Sequence, residues 1–240
     1  MLFRSYLAKW LAELPGRRYT YRIVFIPETI GSITYLSRNL EHLQRHVVAG
    51  FNITCIGDDR CYSYLPSRAG DSLADRAALH ALKYHAPDFK RYSYLDRGSD
   101  ERQYCAPGVD LPVASIMRSK YYEYPEYHTS LDDLALVTPA GLEGGFTALQ
   151  KTITVIENNC RPRVTVLCEP QLGKRGLYPT LSTPTSGASV KTMMDMLAYC
   201  DGNRSLLDIA ELIGAPISEL VPIHQTLSQH GLLRDLDAGD

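Results

Sequence analysis

The chain has 240 residues, a formal net charge of −2, 45% hydrophobic and 22% charged residues. These are the proportions of an ordinary globular protein with one large domain, or one domain plus a small one. So neutral a balance gives no general attraction to nucleic acid or an anionic membrane, and no run reaches the ~18 apolar residues that a membrane helix needs.

Residues 2–14 place Leu2, Tyr6, Leu7, Trp10, Leu11 and Leu14 on one face, which predicts an amphipathic helix stopped by Pro15-Gly16. Arg4, Lys9 and Glu13 interrupt any signal-peptide core. Tyr19–Ile26 (YTYRIVFI) is aromatic and β-branched, the composition of a buried strand in an α/β sheet. Pro27-Glu28-Thr29-Ile30-Gly31-Ser32 follows at once, and a carboxylate at the carboxyl end of such a strand is where open sheets keep their chemistry. A helix is predicted over 33–48, then a strand over Phe51–Ile56 with the turn Gly57-Asp58-Asp59-Arg60 behind it. Cys61–Pro66 suits a short edge strand. Ser72 and Asp75 stand in capping-box spacing before a helix to about Lys83.

Alternating aromatics predict a strand over Asp88–Leu95, ending in the polar loop Gly98-Ser99-Asp100-Glu101. Leu111–Met117 is a further apolar strand that enters a tyrosine-rich loop and then Glu126-Tyr127-His128-Thr129-Ser130-Leu131-Asp132-Asp133. Thr138-Pro139 starts a helix that ends at Asn158-Asn159. Strands and helices alternate, with each polar motif just after a strand, so the fold class is α/β with a mostly parallel sheet flanked by helices. The domain reading is 1–160 for this unit, 161–189 for an extended connector packing on it, and 190–240 for a small winged-helix-like domain. Within the connector, Glu169–Pro179 is too specific in composition for a plain linker, and no chemistry attaches to it. Residues 190–240 carry three basic and eight acidic side chains, a net of −5. A DNA-binding winged helix presents a basic face, so a protein partner or homo-oligomer contact is expected there and nucleic acid is not.

Six cysteines, at 55, 61, 105, 160, 168 and 200, make no CxxC pair and no zinc-finger spacing. They read as reduced thiols of a cytoplasmic protein. On residue type alone His128 is a structural histidine or a metal ligand, Glu28 a helix-start charge or a general base, and Asp58 and Asp59 solvated turn residues or ligands.

Several of these motifs resemble the zinc aminopeptidases whose α/β fold the glutaminyl cyclases share. Closer still are bacterial aminopeptidase-like proteins associated with polysaccharide biosynthesis that carry a C-terminal winged helix. Tyr127-His128-Thr129 with Asp132-Asp133 looks like that superfamily's last zinc-ligand histidine. Gly98-Ser99-Asp100 looks like its Ser-Asp-His loop with Glu101 in the histidine's place, and Pro27–Ser32 looks like its Glu-Glu-x-Gly turn. The resemblance implies a zinc-dependent hydrolase of peptide or amide bonds acting on a peptide or amino-acyl substrate. It implies Glu28 as catalytic base, Asp100 as a catalytic carboxylate acting behind the ligands or on the transition state, and His128, Glu28 and Asp58 as metal ligands, with Asp59 or Glu101 as substitutes. Thr29 replaces the second Glu of the turn. No histidine precedes His42, so the family's first His and its bridging Asp are absent. The expectation is the C-terminal part of a longer enzyme, incomplete at its N-terminus, with an exposed sheet edge and weak zinc binding. The alternative is a non-catalytic binding or scaffold protein that kept the fold.

Overall fold

The computed structural model describes residues 2–177 and 184–236, which divide into a first unit ending at Glu157 and a second beginning at Asn158. In the first, helices α1 (Leu2–Glu13), α2 (Ile30–His46), α3 (Leu73–His85), α4 (Glu101–Tyr104) and α5 (Pro139–Glu157) surround strands β1 (Gly50–Asn52), β2 (Ser63–Leu65), β3 (Lys90–Arg91) and β4 (Val113–Met117). The sheet order is β1-β4-β2-β3. β1 with β4 and β2 with β3 are parallel, whereas β2 with β4 is antiparallel. The α/β expectation therefore holds, with one reversed pairing.

β4 organises the packing because all five of its residues are buried. Side chains alternate along a strand. Ala114 and Ile116 join Leu7 and Leu11 of α1, Ala78 and Leu82 of α3, and Leu149 and Ile153 of α5 in one cluster. Val113 joins Leu36 and Leu43 of α2 in another. Helices on both faces explain why β4 reads as a continuous apolar run. Its carboxyl end delivers Arg118, Ser119, Lys120 and Tyr121, all buried, to one side of the sheet.

Four expected strands differ, the first being Phe51–Ile56, which is strand only at Phe51 and Asn52 within Gly50–Asn52. Tyr19–Ile26 is not a strand: residues 20–27 have no regular structure, and Ile23 and Phe25 are 40% and 49% exposed. An apolar run becomes a strand only where a neighbour completes its hydrogen-bond ladder. Here the segment borders a cavity of about 820 Å³, lined by Tyr21, Val24 and Ile26 together with Phe51 and Ile53. Its anchors go elsewhere: Tyr21 Oη and the Arg18 amide both donate to Glu157 at the end of α5, at 2.5 and 2.6 Å. Of Asp88–Leu95 only Lys90–Arg91 is strand, because Ser93 and Asp96 cap each other and turn the chain into a short 3-10 helix. Ser63–Leu65 is an interior strand, not an edge, with β4 on one side and β3 on the other. The Ser72–Asp75 capping box forms as expected.

In the second unit, α6 (Pro184–Ala198), α7 (Leu206–Ile213) and α8 (Ile217–Gln229) precede β6 (Leu233–Asp235), which pairs antiparallel with β5 (Pro162–Val164). β5 comes from the start of the stretch expected to be an extended connector. Residues 178–183 of that stretch, including Tyr178-Pro179, lie outside the described residues. Ser205 and Asp208 form a capping box at the start of α7, and Gly214 ends it at φ 70°. Leu206, Leu207, Ile209, Leu220 and Leu227 are buried. Among the described residues no helix is long and apolar enough to cross a membrane.

Candidate functional site

Three loops of the first unit carry the candidate residues; the first two meet at Glu28, and the third joins the second through Tyr121 and Glu101. In the first, the Ile30 amide donates to Glu28 O at 2.7 Å, closing a γ-turn about Thr29 at φ 63°, ψ −68°. This φ-positive γ-turn is rare and strained, and such strain at a non-glycine residue costs on the order of 1–3 kcal/mol. The surroundings hold it in place. The Thr29 amide and Ser32 Oγ both donate to Asp100 Oδ1, at 2.7 and 2.9 Å, and Arg102 Nη2 donates to Thr29 Oγ1 at 3.2 Å. Asp100 thus caps α2 from another part of the chain. Gly31 is required by close approach, since a Cβ there would lie 2.7 Å from Ile26 Cβ. Glu28 itself is exposed, and Ser99 Oγ donates to its Oε1 at 2.7 Å.

The second loop is built on Glu101, which is fully buried. Its Oε1 accepts from the amides of Gly98 and Ser99 and from Tyr121 Oη, at 2.7, 2.9 and 2.7 Å, and its Oε2 accepts from Asn52 Nδ2 at 2.8 Å. Four donors on two oxygens is a set that suits an acceptor-only carboxylate. Burial, and then the bond to Glu101, push the Tyr121 phenol well above its usual range, so it stays neutral and donates. Gly98 leaves room for the Tyr121 ring, 2.6 Å from where a Cβ would sit.

The third loop follows β4. His128 is exposed, at φ 59°, with its ring stacked on Tyr127 at 3.9 Å between centroids. Tyr127 is pushed up to about 12, first by burial and then by the charges of Tyr122, Cys55 and Glu28. Tyr121, Tyr122 and Tyr124 surround Tyr127 edge-on or tilted. Arg60 pairs through two nitrogens with Glu126, at 2.9 and 2.7 Å, and tethers this loop to the turn after β1. Asp133 accepts from the Ala135 amide and so caps a local turn, while Thr138 caps α5.

Asp58 is buried and accepts from the Ser119 amide, Ser119 Oγ and the Arg60 amide, at 2.9, 2.7 and 3.1 Å. Both of its oxygens are engaged. Asp59 accepts from Thr138 Oγ1 at 3.0 Å. A zinc centre takes about three protein ligands at ~2.0–2.3 Å. Among the described residues the single group of three His, Cys, Asp or Glu side chains with ligating atoms within 4.8 Å of one another lies in the second unit, and Glu28, Asp58 and His128 form no such group. These residues by themselves do not fit a zinc ion.

Lys120 and Cys55 are members of this region that the sequence reading passed over. The buried Lys120 ammonium lies 4.2 Å from the Tyr121 ring centre and 5.2 Å from that of Tyr92, and it donates to Tyr121 O. Cys55, at φ 45°, accepts from Tyr124 Oη at 3.5 Å, and burial pushes its thiol up. The signal for Lys120 was present: Arg-Ser-Lys directly behind the apolar run Val113–Met117.

A family profile described as a domain of unknown function, DUF4910, matches residues 2–159, and a winged helix-turn-helix profile matches residues 160–235. The chain belongs to the DUF4910 family, with a winged helix-turn-helix unit following. It is 38% identical over 208 residues to a Clostridium acetobutylicum protein whose name assigns it provisionally to polysaccharide biosynthesis and credits it with an aminopeptidase-like domain. That match covers 86% of this chain and 47% of the relative. The crystal structure of a C. acetobutylicum protein provisionally named a peptidase superposes with a TM-score of 0.88 at 35% identity, over 98% of this chain and 52% of that one. The chain spans about half the length of both. An aminopeptidase from Aneurinibacillus sp. strain AM-1 overlaps 52% of the chain at 15% identity and a TM-score of 0.44, too loose a match to bear on the fold. The fold is that of the C. acetobutylicum protein provisionally named a peptidase.

Proposed function

We propose that the first unit carries one wall of an amide-hydrolysing, peptidase-type site, with Glu28 as the proton-handling group and a peptide or amino-acyl compound as substrate. One observation carries this reading: a strained turn presents Glu28 to solvent, while Asp58, Asp75 and Glu101 are each buried under three or more hydrogen bonds. Strain that the surroundings over-determine is characteristic of sites that position a reacting group. Asp100 then acts as a positioning residue, because it fixes the Thr29 amide and hence the direction of the turn. The names of the two Clostridium proteins support the same reaction class. Metal-assisted hydrolysis needs ligands that Glu28, Asp58 and His128 do not bring together, so no step is assigned to a metal in this chain.

The second unit, Asn158–Asp240, carries seven basic and nine acidic side chains, a net of −2; its acidic part, residues 190–240 at −5, suits a protein contact better than a nucleic-acid one.

The test is hydrolysis of amino-acyl p-nitroanilides by the purified chain, with and without added zinc. General acid–base groups contribute about 10²–10⁴-fold. Glu28→Gln is expected to lower kcat by at least about 10²-fold with KM little changed. Turnover that Glu28→Gln leaves intact, or no turnover under either condition, overturns the reading for this chain.

A further inference from the structure

We propose that Cys160, His224 and Asp235 form a binding site for zinc or a similar divalent cation in the winged-helix unit, separate from the wall around Glu28 and independent of its function. The ligating atoms of these three side chains all lie within 4.8 Å of one another. Cys160 Sγ is 3.6 Å from His224 Nε2, and Asp235 Oδ1 is 2.8 Å from the same nitrogen.

That shared nitrogen decides between two readings of a thiol, an imidazole and a carboxylate. In a nucleophilic relay the carboxylate holds one ring nitrogen and the nucleophile faces the other. Here both face Nε2, so the imidazole cannot take a proton from the thiol while the carboxylate orients it from behind. Three ligating atoms gathered within 4.8 Å of one another are instead what a cation needs. Tetrahedral zinc with bonds of ~2.3 Å to sulfur and ~2.0 Å to nitrogen puts those two atoms ~3.5 Å apart, close to the observed spacing. The nitrogen–oxygen edge of such a site is ~3.3 Å, so the carboxylate has to withdraw by ~0.5 Å. Asp235 has the freedom to do so, with its side chain 46% exposed.

The backbone around these residues is well fixed. Pro162 pairs with Asp235 in the β5–β6 ladder, and the Leu236 amide donates to Arg161 O at 2.9 Å, which sets Asp235 beside the residues that follow Cys160. The Leu206 amide donates to Cys160 O at 2.8 Å, and His224 projects from α8, two residues after Pro222. Cys160 is buried and the His224 side chain is 14% exposed, so the fourth coordination position opens only past Asp235, where water or an outside ligand can take it. A donor set of one sulfur, one nitrogen and one oxygen selects zinc, or cobalt in its place, over magnesium and calcium.

Cobalt(II) titration of the full chain tests this, because a cobalt–thiolate bond gives a charge-transfer absorption that carboxylate and imidazole sites lack. The expected result is one equivalent of cobalt with that band, displaced by zinc. The band is lost in Cys160→Ser and unchanged in Glu28→Gln and His128→Ala. Asp235→Asn, on the exposed side and so neutral for folding, is expected to weaken cobalt binding by tenfold or more, since even changes behind a ligand cost 10–100-fold. No thiolate band in the wild-type chain, a band that survives Cys160→Ser in a folded variant, or wild-type affinity in Asp235→Asn each overturns the proposal. Loss of amide hydrolysis in Glu28→Gln with the band intact separates this site from the one in the first unit.

Discussion

Around Glu101 in the first unit four donors converge on one carboxylate, whereas around His224 in the second unit a thiol and a carboxylate converge on one ring nitrogen. Both are clusters of the residue types that sequence motifs flag as chemistry. Their hydrogen-bond accounts separate them. A carboxylate whose lone pairs are filled by amides and a phenol is part of the framework, because withdrawing it to bind a ligand strands buried donors. A group whose neighbours all face one point, with solvent at the open side, retains capacity to bind. By this measure Glu101 and Asp58 stand on the framework side, and Glu28, which accepts from Ser99 Oγ and keeps an exposed head, does not.

The largest effect that checks this contrast is on stability. Glu101→Ala leaves the Gly98 and Ser99 amides, Tyr121 Oη and Asn52 Nδ2 without their acceptor, and is expected to cost about 3–5 kcal/mol in urea unfolding. A loss below about 1 kcal/mol shows that Glu101 is not the knot described. Asp100→Ala ranks second. It removes the carboxylate that accepts from the Thr29 amide and Ser32 Oγ at the start of α2, and caps are worth about 0.5–2 kcal/mol. The accompanying sign is faster hydrogen exchange at the Thr29 amide and the first turn of α2. Unchanged exchange there breaks the link between Asp100 and the Glu28 turn.

The smallest effect concerns the tether of the His128 loop. Arg60, through its hydrogen bonds, holds the Glu126 carboxyl at about 2, below its usual 4.5. A depressed folded value means that the pair's contribution is present above 4.5 and is lost as pH falls toward 2. Arg60→Met is expected to return Glu126 to the ordinary carboxylate range in an NMR titration. The stability change should be near the limit of detection, because surface ion pairs contribute little. A Glu126 titration that stays near 2 in Arg60→Met shows that the pair is not what sets it.

Much of this molecule was legible from local signals. The Ser72–Asp75 box, the apolar run of β4, the Thr138-Pro139 start of α5 and the helix–turn–helix pattern of the tail all formed, because capping and periodicity act within a few residues. Tyr19–Ile26 did not become a strand despite its composition, since a strand exists only through a partner that its own residues do not specify. The same holds for the site. Residue types picked out Glu28, Asp100 and His128, and Glu28 and Asp100 meet in space, both held by the 98–102 turn. The sequence could not tell that Asp58 is spent on Ser119, some sixty residues away, or that Glu101 ties β1 to Tyr121. Nor could it pick Cys160, His224 and Asp235 out of six scattered cysteines and a run of acids. Those assignments depend on which backbone amides and side chains arrive at each oxygen and sulfur, and contacts across such sequence distances are set only when the sheets and helices pack.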